Sequence, residues 1–228
     1  MINKNSFFGN VGASTPPIVK NLLIINGLMF LASLMFGDFM YSTFSLYFPT
    51  SPNFKVFQLL THMFMHADFF HLLFNMYALW MFGGMVEKIW GGKKFLFYYL
   101  VTGLGAMVLH MFVQWILLYH TNTYNSMEVA YLVTYTRTLG ASGAVFGILL
   151  AFGMLFPHAV LQLIFPPIRL KAIWFVIIYG AIELFLGFTR TSGGVAHFAH
   201  VGGMLFGFIL IKYWKHKGTL FRNDDYHN

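Results

Sequence analysis

The chain has no cysteine. Disulfides, thiolate metal sites and cysteine nucleophiles are therefore excluded. Charge is nearly as scarce. Only 9% of the 228 residues are Asp, Glu, Lys or Arg, against about 25% in a soluble domain. So few charges cannot cover a water-facing surface of this size, which rules against a soluble enzyme. Acidic residues are the rarest, at seven. A polar, apolar-poor composition is also missing: aromatics alone make up 20%, which excludes intrinsic disorder. No apolar run precedes the first long hydrophobic segment. Met1–Pro17 is polar with glycine and prolines, so no cleavable signal peptide is expected.

What is present is hydrophobic sequence, 58% of the chain with a mean hydropathy of +0.66. A membrane-spanning helix needs roughly 20 mostly apolar residues. Six candidate spans run near Asn21–Met40, Phe69–Val86, Phe95–Tyr119, Leu139–Phe156, Leu170–Phe188 and Val195–Trp214. With no repeat and no linker of boundary-like composition, residues 1–228 read as one all-α membrane domain. Tyr41–Met65 is aromatic and poor in charge, and is expected to lie in the membrane interface. Pro157–Arg169, broken by Pro157, Pro166 and Pro167, reads as an interfacial connection.

The net charge of +7 reads as basic loops on one side of a bilayer rather than as a nucleic-acid surface. Lys4, Lys20, Lys88, Lys93, Lys94, Arg169, Lys171, Lys212, Lys215, Lys217 and Arg222 fall on one side of a six-span topology. Lys55, Arg137 and Arg190 fall on the other. Both termini are therefore expected in the cytoplasm. The second, fourth and sixth helices then start at the external face.

Those three helices carry polar residues near their outer ends, and polar groups inside a bilayer are functional candidates. The second brings His71 and Asn75, one turn apart. The fourth opens Gly140-Ala-Ser142-Gly143, and the sixth carries His197 and His200. At about 1.5 Å per residue, Ser142 and His200 lie roughly 5–10 Å below their expected helix starts. This set suits acyl transfer. A serine needs a base to take its proton, and histidine does so near neutral pH. Asn75, His71 and the Ser142 backbone N–H could hold an oxyanion, aided by the positive end of the fourth helix. Each piece also has a plainer reading: a serine at a helix start can be an N-cap, and a membrane histidine can simply bond across helices. Gly143 and Gly147 share one face, and Gly203 and Gly207 repeat the spacing on the sixth helix. Such small-residue stripes let helices approach closely.

In order, His62-Met-Phe-Met-His66, His71-Leu-Leu-Phe-Asn75, Gly-Gly-Met-Val-Glu87, Gly140-Ala-Ser142-Gly143-Ala-Val-Phe146-Gly147 and Ala199-His200-Val-Gly-Gly203 resemble the rhomboid intramembrane serine proteases. The resemblance extends from about Phe57 to Gly207. It implies a six-helix rhomboid-like bundle, Ser142 as nucleophile, His200 as general base, and Asn75 and His71 lining the oxyanion hole. His200 is preferred to His197 because the family's histidine has glycines three and seven residues later, and Gly203 and Gly207 stand there only for His200. The sequence departs from the family at Phe57-Gln58, where Trp-Arg is frequent, and at Phe146, where some members have Tyr. Phe146 is expected to keep an aromatic face beside the imidazole.

His62 and His66, spaced i, i+4, could ligate a metal, but no third ligand is near in sequence, and the resemblance makes them structural or water-organising. No metal or cofactor is expected. His110 and His120 read as helix-contact residues. Glu183, the one carboxylate deep in a span, could orient His200 as a triad member, although structural hydrogen bonding is the reading taken. The function expected is an intramembrane serine endopeptidase acting on transmembrane proteins from within the lipid bilayer, with no nucleic-acid partner, in a bacterial cytoplasmic membrane. The alternatives are a catalytically silent rhomboid-like protein that binds membrane clients and, disfavoured by the lack of repeats, a small transporter.

Overall fold

The structure, a computed structural model, describes residues 15–121, 124–162, 168–189 and 195–221. Lys4, Arg190, Arg222, Pro166 and Pro167, used above in the charge and loop arguments, lie outside these.

The molecule is an all-helical bundle with two small β-pairs. Its long helices are Pro17–Phe36, Phe69–Trp90, Gly92–Tyr119, Ala172–Thr189 and Val195–His216. All five are long and apolar enough to cross a bilayer. The remaining expected span, the fourth, is the shorter helix Ser142–Leu155, about 21 Å long at 1.5 Å per residue. It is also the most enclosed. Ten of its residues between Gly143 and Gly153 are buried, and it packs on the third, fifth and sixth helices. The outer helices point Leu28, Leu31, Leu34, Phe185 and Phe188 outward, as lipid-facing helices do.

Several boundaries differ from the sequence reading, each for a local reason. The first helix starts at Pro17, a residue suited to the first helical turn. The buried Glu87 carboxylate accepts from the Ile18 and Val19 backbone N–H groups at 3.0 and 2.8 Å, replacing a side-chain cap. This helix ends at Gly37, whose φ of 51° breaks it four residues early, and a second short helix, Asp38–Phe44, follows. The second helix continues through a π-helical turn, Leu79–Gly83, to Trp90.

The fourth helix starts three residues later than expected. Gly140 has φ 129°, which a side chain rarely adopts, and its N–H is drawn off to His62 O at 2.9 Å. A Cβ there would also press on the His71 ring.

Tyr41–Met65 is an ordered layer rather than a plain loop. Strand β1 (Leu46–Tyr47) pairs antiparallel with β2 (Arg137–Thr138), and Arg137 bonds Asp38 at 3.0 Å. Gln58, fully buried, donates to Thr43 O and Asn53 O and accepts from Lys55 N. The glutamine thus ties the loop at the position where the family often has arginine. The connection after the fourth helix is likewise not merely irregular. β3 (Val160–Gln162) pairs antiparallel with β4 (Arg169–Lys171), which is why the fifth helix begins at Ala172 and not Leu170.

Close packing positions the site. A Cβ on Gly203 would run into the Gly143 backbone, so the fourth and sixth helices touch main chain to main chain there. The rest of the glycine stripe is used differently from the simple fourth–sixth pairing expected. Gly147 lies against Thr102, and Gly207 against the Tyr98 hydroxyl. Tyr98 of the third helix donates to Gly147 O at 2.8 Å and so wedges between the two stripes.

Candidate active site

Ser142 occupies the first turn of its helix but does not cap it: the helix has no side-chain cap. Its Oγ lies 2.9 Å from His200 Nε2. Its hydroxyl is thus directed to the His200 imidazole rather than to the N–H groups of its own helix. His200 comes from the sixth helix, five residues after Val195. The Gly143–Gly203 contact brings the two backbones close enough for this bond.

The imidazole is held on two further sides. Phe146, one turn after Ser142, stacks on it with ring centroids 4.2 Å apart and planes 4° from parallel. Phe146 in turn meets Tyr179 of the fifth helix at 5.7 Å. On the far edge, His200 Nδ1 lies 2.8 Å from Glu183 Oε2. His197 Nδ1 approaches the same oxygen at 2.7 Å. His197 therefore faces Glu183 rather than Ser142.

The expected oxyanion residues lie beside the serine. His71, Asn75, Ser142 and His200 line one cavity of about 830 Å³. Asn75 is buried, and its Nδ2 donates to His71 O at 2.8 Å. An amide nitrogen carries two hydrogens, so one is left for another acceptor. Asp68 caps the second helix through His71 N at 2.9 Å, and His71 Nδ1 accepts from Ala67 N at 3.3 Å. This fixes the ring beside Gly140. The cavity is otherwise apolar. Phe74 and Met81 come from the second helix, Val145 and Leu149 from the fourth, and Phe175 and Tyr179 from the fifth. The β3 residues Val160, Leu161 and Gln162 also line it.

His66 is fully buried, with its ring 5.1 Å from that of His71, edge to face. His62 Nδ1 bonds Gln58 O at 2.9 Å. The two do not share a helical face, because the 3₁₀ turn His62–Phe64 ends and Met65 is extended. Burial lowers both imidazoles to about 4, so both are neutral at physiological pH. His110 Nε2 bonds Thr138 Oγ1 at 2.8 Å, joining the third helix to β2. His120 packs on Trp115 at 4.1 Å. Among the described residues, one group of three could offer metal ligands: Glu183, His197 and His200. Their N···O spacings of 2.7–2.8 Å are those of hydrogen bonds. Ligand atoms around tetrahedral zinc sit roughly 3.3 Å apart.

Glu183, a lone carboxylate deep in an apolar helix, is hydrogen-bonded to both sixth-helix histidines, in keeping with the structural hydrogen bonding expected of it; that both bonds meet one oxygen was not legible in the sequence. The β3 wall of the cavity was not legible either, because only strand pairing creates it.

A family profile described as Rhomboid domain matches residues 53–216. The presenilin-associated rhomboid-like protein, mitochondrial, of Bos taurus is 32% identical over 188 residues, covering 76% of this chain and 44% of that protein. Rhomboid protein 1, mitochondrial, of Saccharomyces cerevisiae is 30% identical over 144 residues, 63% of this chain and 38% of that protein. Rhomboid-like protease 3 of Toxoplasma gondii is 30% identical over 170 residues, 74% and 55% respectively. The chain thus spans about half the length of these relatives. Two of the three carry mitochondrial names, which lends no support to the expected bacterial cytoplasmic membrane. The matched segment contains Ser142, His200, Asn75, His71 and the packing glycines on a bundle of membrane-spanning helices, and the chain belongs to the rhomboid family of multi-pass membrane proteins.

Proposed function

We propose that this protein is an intramembrane serine endopeptidase that hydrolyses peptide bonds in or near transmembrane segments of membrane proteins. The observation that carries this reading is the 2.9 Å contact between Ser142 Oγ and His200 Nε2 at the wall of a largely apolar cavity. As Oγ attacks the scissile carbonyl carbon, Nε2 takes the hydroxyl proton. The carbonyl oxygen becomes an oxyanion. We assign its stabilisation to the free Nδ2 hydrogen of Asn75, the His71 ring and the Ser142 backbone N–H, since these three residues line the same cavity. The positive end of the fourth helix adds to this stabilisation. His200 returns its proton to the leaving amine, the C–N bond breaks, and an acyl-serine ester remains. Water, deprotonated by His200, attacks the ester and releases the second product.

The apolar lining suits a transmembrane segment as substrate. We place the basic side of the molecule in the cytoplasm, or in the equivalent compartment of an organelle, with cleavage at the opposite face. A client-binding protein without activity is the other outcome of the test.

That test is labelling of the purified protein in detergent by a fluorophosphonate, together with cleavage of a transmembrane test substrate. Ser142→Ala and His200→Ala are each expected to lose both, and His197→Ala to retain cleavage. Wild-type turnover by Ser142→Ala would end the protease assignment.

A further inference from the structure

A carboxylate in a membrane-spanning helix is costly unless it is partnered. The Glu183 side chain is 9% exposed, and one of its oxygens meets two imidazoles. Oε2 lies 2.8 Å from His200 Nδ1 and 2.7 Å from His197 Nδ1. An ionised carboxylate only accepts hydrogen bonds, so both Nδ1 atoms carry the hydrogen. For His200 this has a consequence at the opposite edge of the ring. With hydrogen on Nδ1, Nε2 presents a lone pair, and Nε2 is the atom 2.9 Å from Ser142 Oγ. That is the one neutral tautomer able to take the serine proton. When the proton arrives, the imidazolium lies against a carboxylate. The contact therefore strengthens as the reaction proceeds. His197 Nε2 is buried and finds no hydrogen-bond partner among the described residues. Among the described residues its one polar link is Glu183, as expected of a residue that holds the carboxylate and does no chemistry itself.

We infer that Glu183 is a positioning residue for the Ser142–His200 pair. It holds His200 in the Nδ1–H tautomer and balances the charge His200 gains, and His197 clamps its carboxylate from the other side. The inference rests on the protease reading above and extends a two-residue site to a line running from the fourth helix through the sixth to the fifth.

Steady-state cleavage by Glu183→Gln, Glu183→Ala and His197→Ala in one detergent separates this from a structural role. Glutamine keeps the size of glutamate but can turn its NH₂ toward His200, favouring the wrong tautomer. Its kcat should fall by about 10²–10⁴-fold, the upper figure being the loss for the equivalent amide exchange in a Ser–His–Asp triad. KM should stay within about threefold, because only transition-state stabilisation is removed. His197→Ala should lose roughly threefold in kcat, the value of one interhelical hydrogen bond in a membrane.

A second measurement uses the unaltered protein. Nitrogen shifts of ¹⁵N-histidine, with His200 assigned by its loss in His200→Asn, should report the Nδ1–H tautomer. A Glu183→Gln kcat within threefold of wild type, or an Nε2–H tautomer for His200, would overturn the inference. Failure of the protease reading looks different: the wild type does not cleave, or Ser142→Ala cleaves as well as wild type does. The tautomer measurement still decides the Glu183 contact in that case.

Discussion

Asn75 shows how one side chain can serve stability or chemistry, and how the two are told apart. Its amide already holds one bond, to His71 O at 2.8 Å, within its own helix. If its second hydrogen meets the oxyanion, Asn75→Ala should lower kcat and kcat/KM together. The loss should be on the order of 10²–10³, as for one oxyanion donor elsewhere. If Asn75 only secures the helix, turnover per folded molecule should hold and the melting temperature should drop. Kinetics and melting of the same preparation distinguish the two, and near-wild-type kcat with a lowered melting point would leave Asn75 as a packing residue. The choice between His197 and His200 was legible in the sequence because glycines follow only His200 at the right spacing. The role of Glu183 was not. One residue on the fifth helix and two on the sixth have no sequence relation that predicts a shared oxygen.

Among the helices, the decisive contact is between the fourth and the sixth. Gly203 lies so close to the Gly143 main chain that any Cβ would overlap it. Backbone cannot give way as a flexible side chain can, so Gly203→Ala must push the helices apart. Ser142 and His200, one residue before Gly143 and three before Gly203, would separate with them. Cleavage should therefore fall at least about tenfold, in keeping with the sensitivity of catalysis to misplacements on the 1 Å scale, and the melting temperature should fall too. Gly27→Ala is the matched control. Nothing lies within 4 Å of its added methyl, and alanine is favoured over glycine in a helix by roughly 0.5–1 kcal/mol, so stability should hold or rise with activity unchanged. Equal behaviour of the two variants would show that this close approach does not set the site. Small-residue stripes were readable in advance as close contacts. That Tyr98 would divide them, bonding Gly147 O and covering Gly207, depends on where the third helix lies.

For the whole molecule, charge and span count jointly predict orientation. Eleven basic residues fall on one side and three on the other. Both termini should therefore face the cytoplasm, or the equivalent compartment of an organelle. A reporter fused after Asn228 should behave as internal and one inserted near Tyr124 as external. An external C-terminal reporter would put Ser142 and His200 at the cytoplasmic end and overturn the proposed side of cleavage. The long helices were legible because a bilayer demands long apolar runs, whatever their neighbours. The fourth helix was legible as apolar, but its 14 residues fall short of a full span because Gly140 turns out of helix toward His62.

Composition and pattern by themselves determined that this chain lives in a membrane, how many helices cross or enter it, and that a serine, two histidines and an asparagine lie near one face. Those features are local: hydrophobic length, glycine spacing and helical period are written in neighbouring residues. The tertiary structure alone decided what stands behind His200 and what walls the cavity. These depend on contacts between segments far apart in sequence, as in His197 with Glu183, 14 residues apart, and His200 with Ser142, 58 apart. Such distances follow from helix packing and strand pairing, where backbone contact, buried hydrogen bonds and a positive-φ glycine choose among arrangements that the same apolar pattern permits.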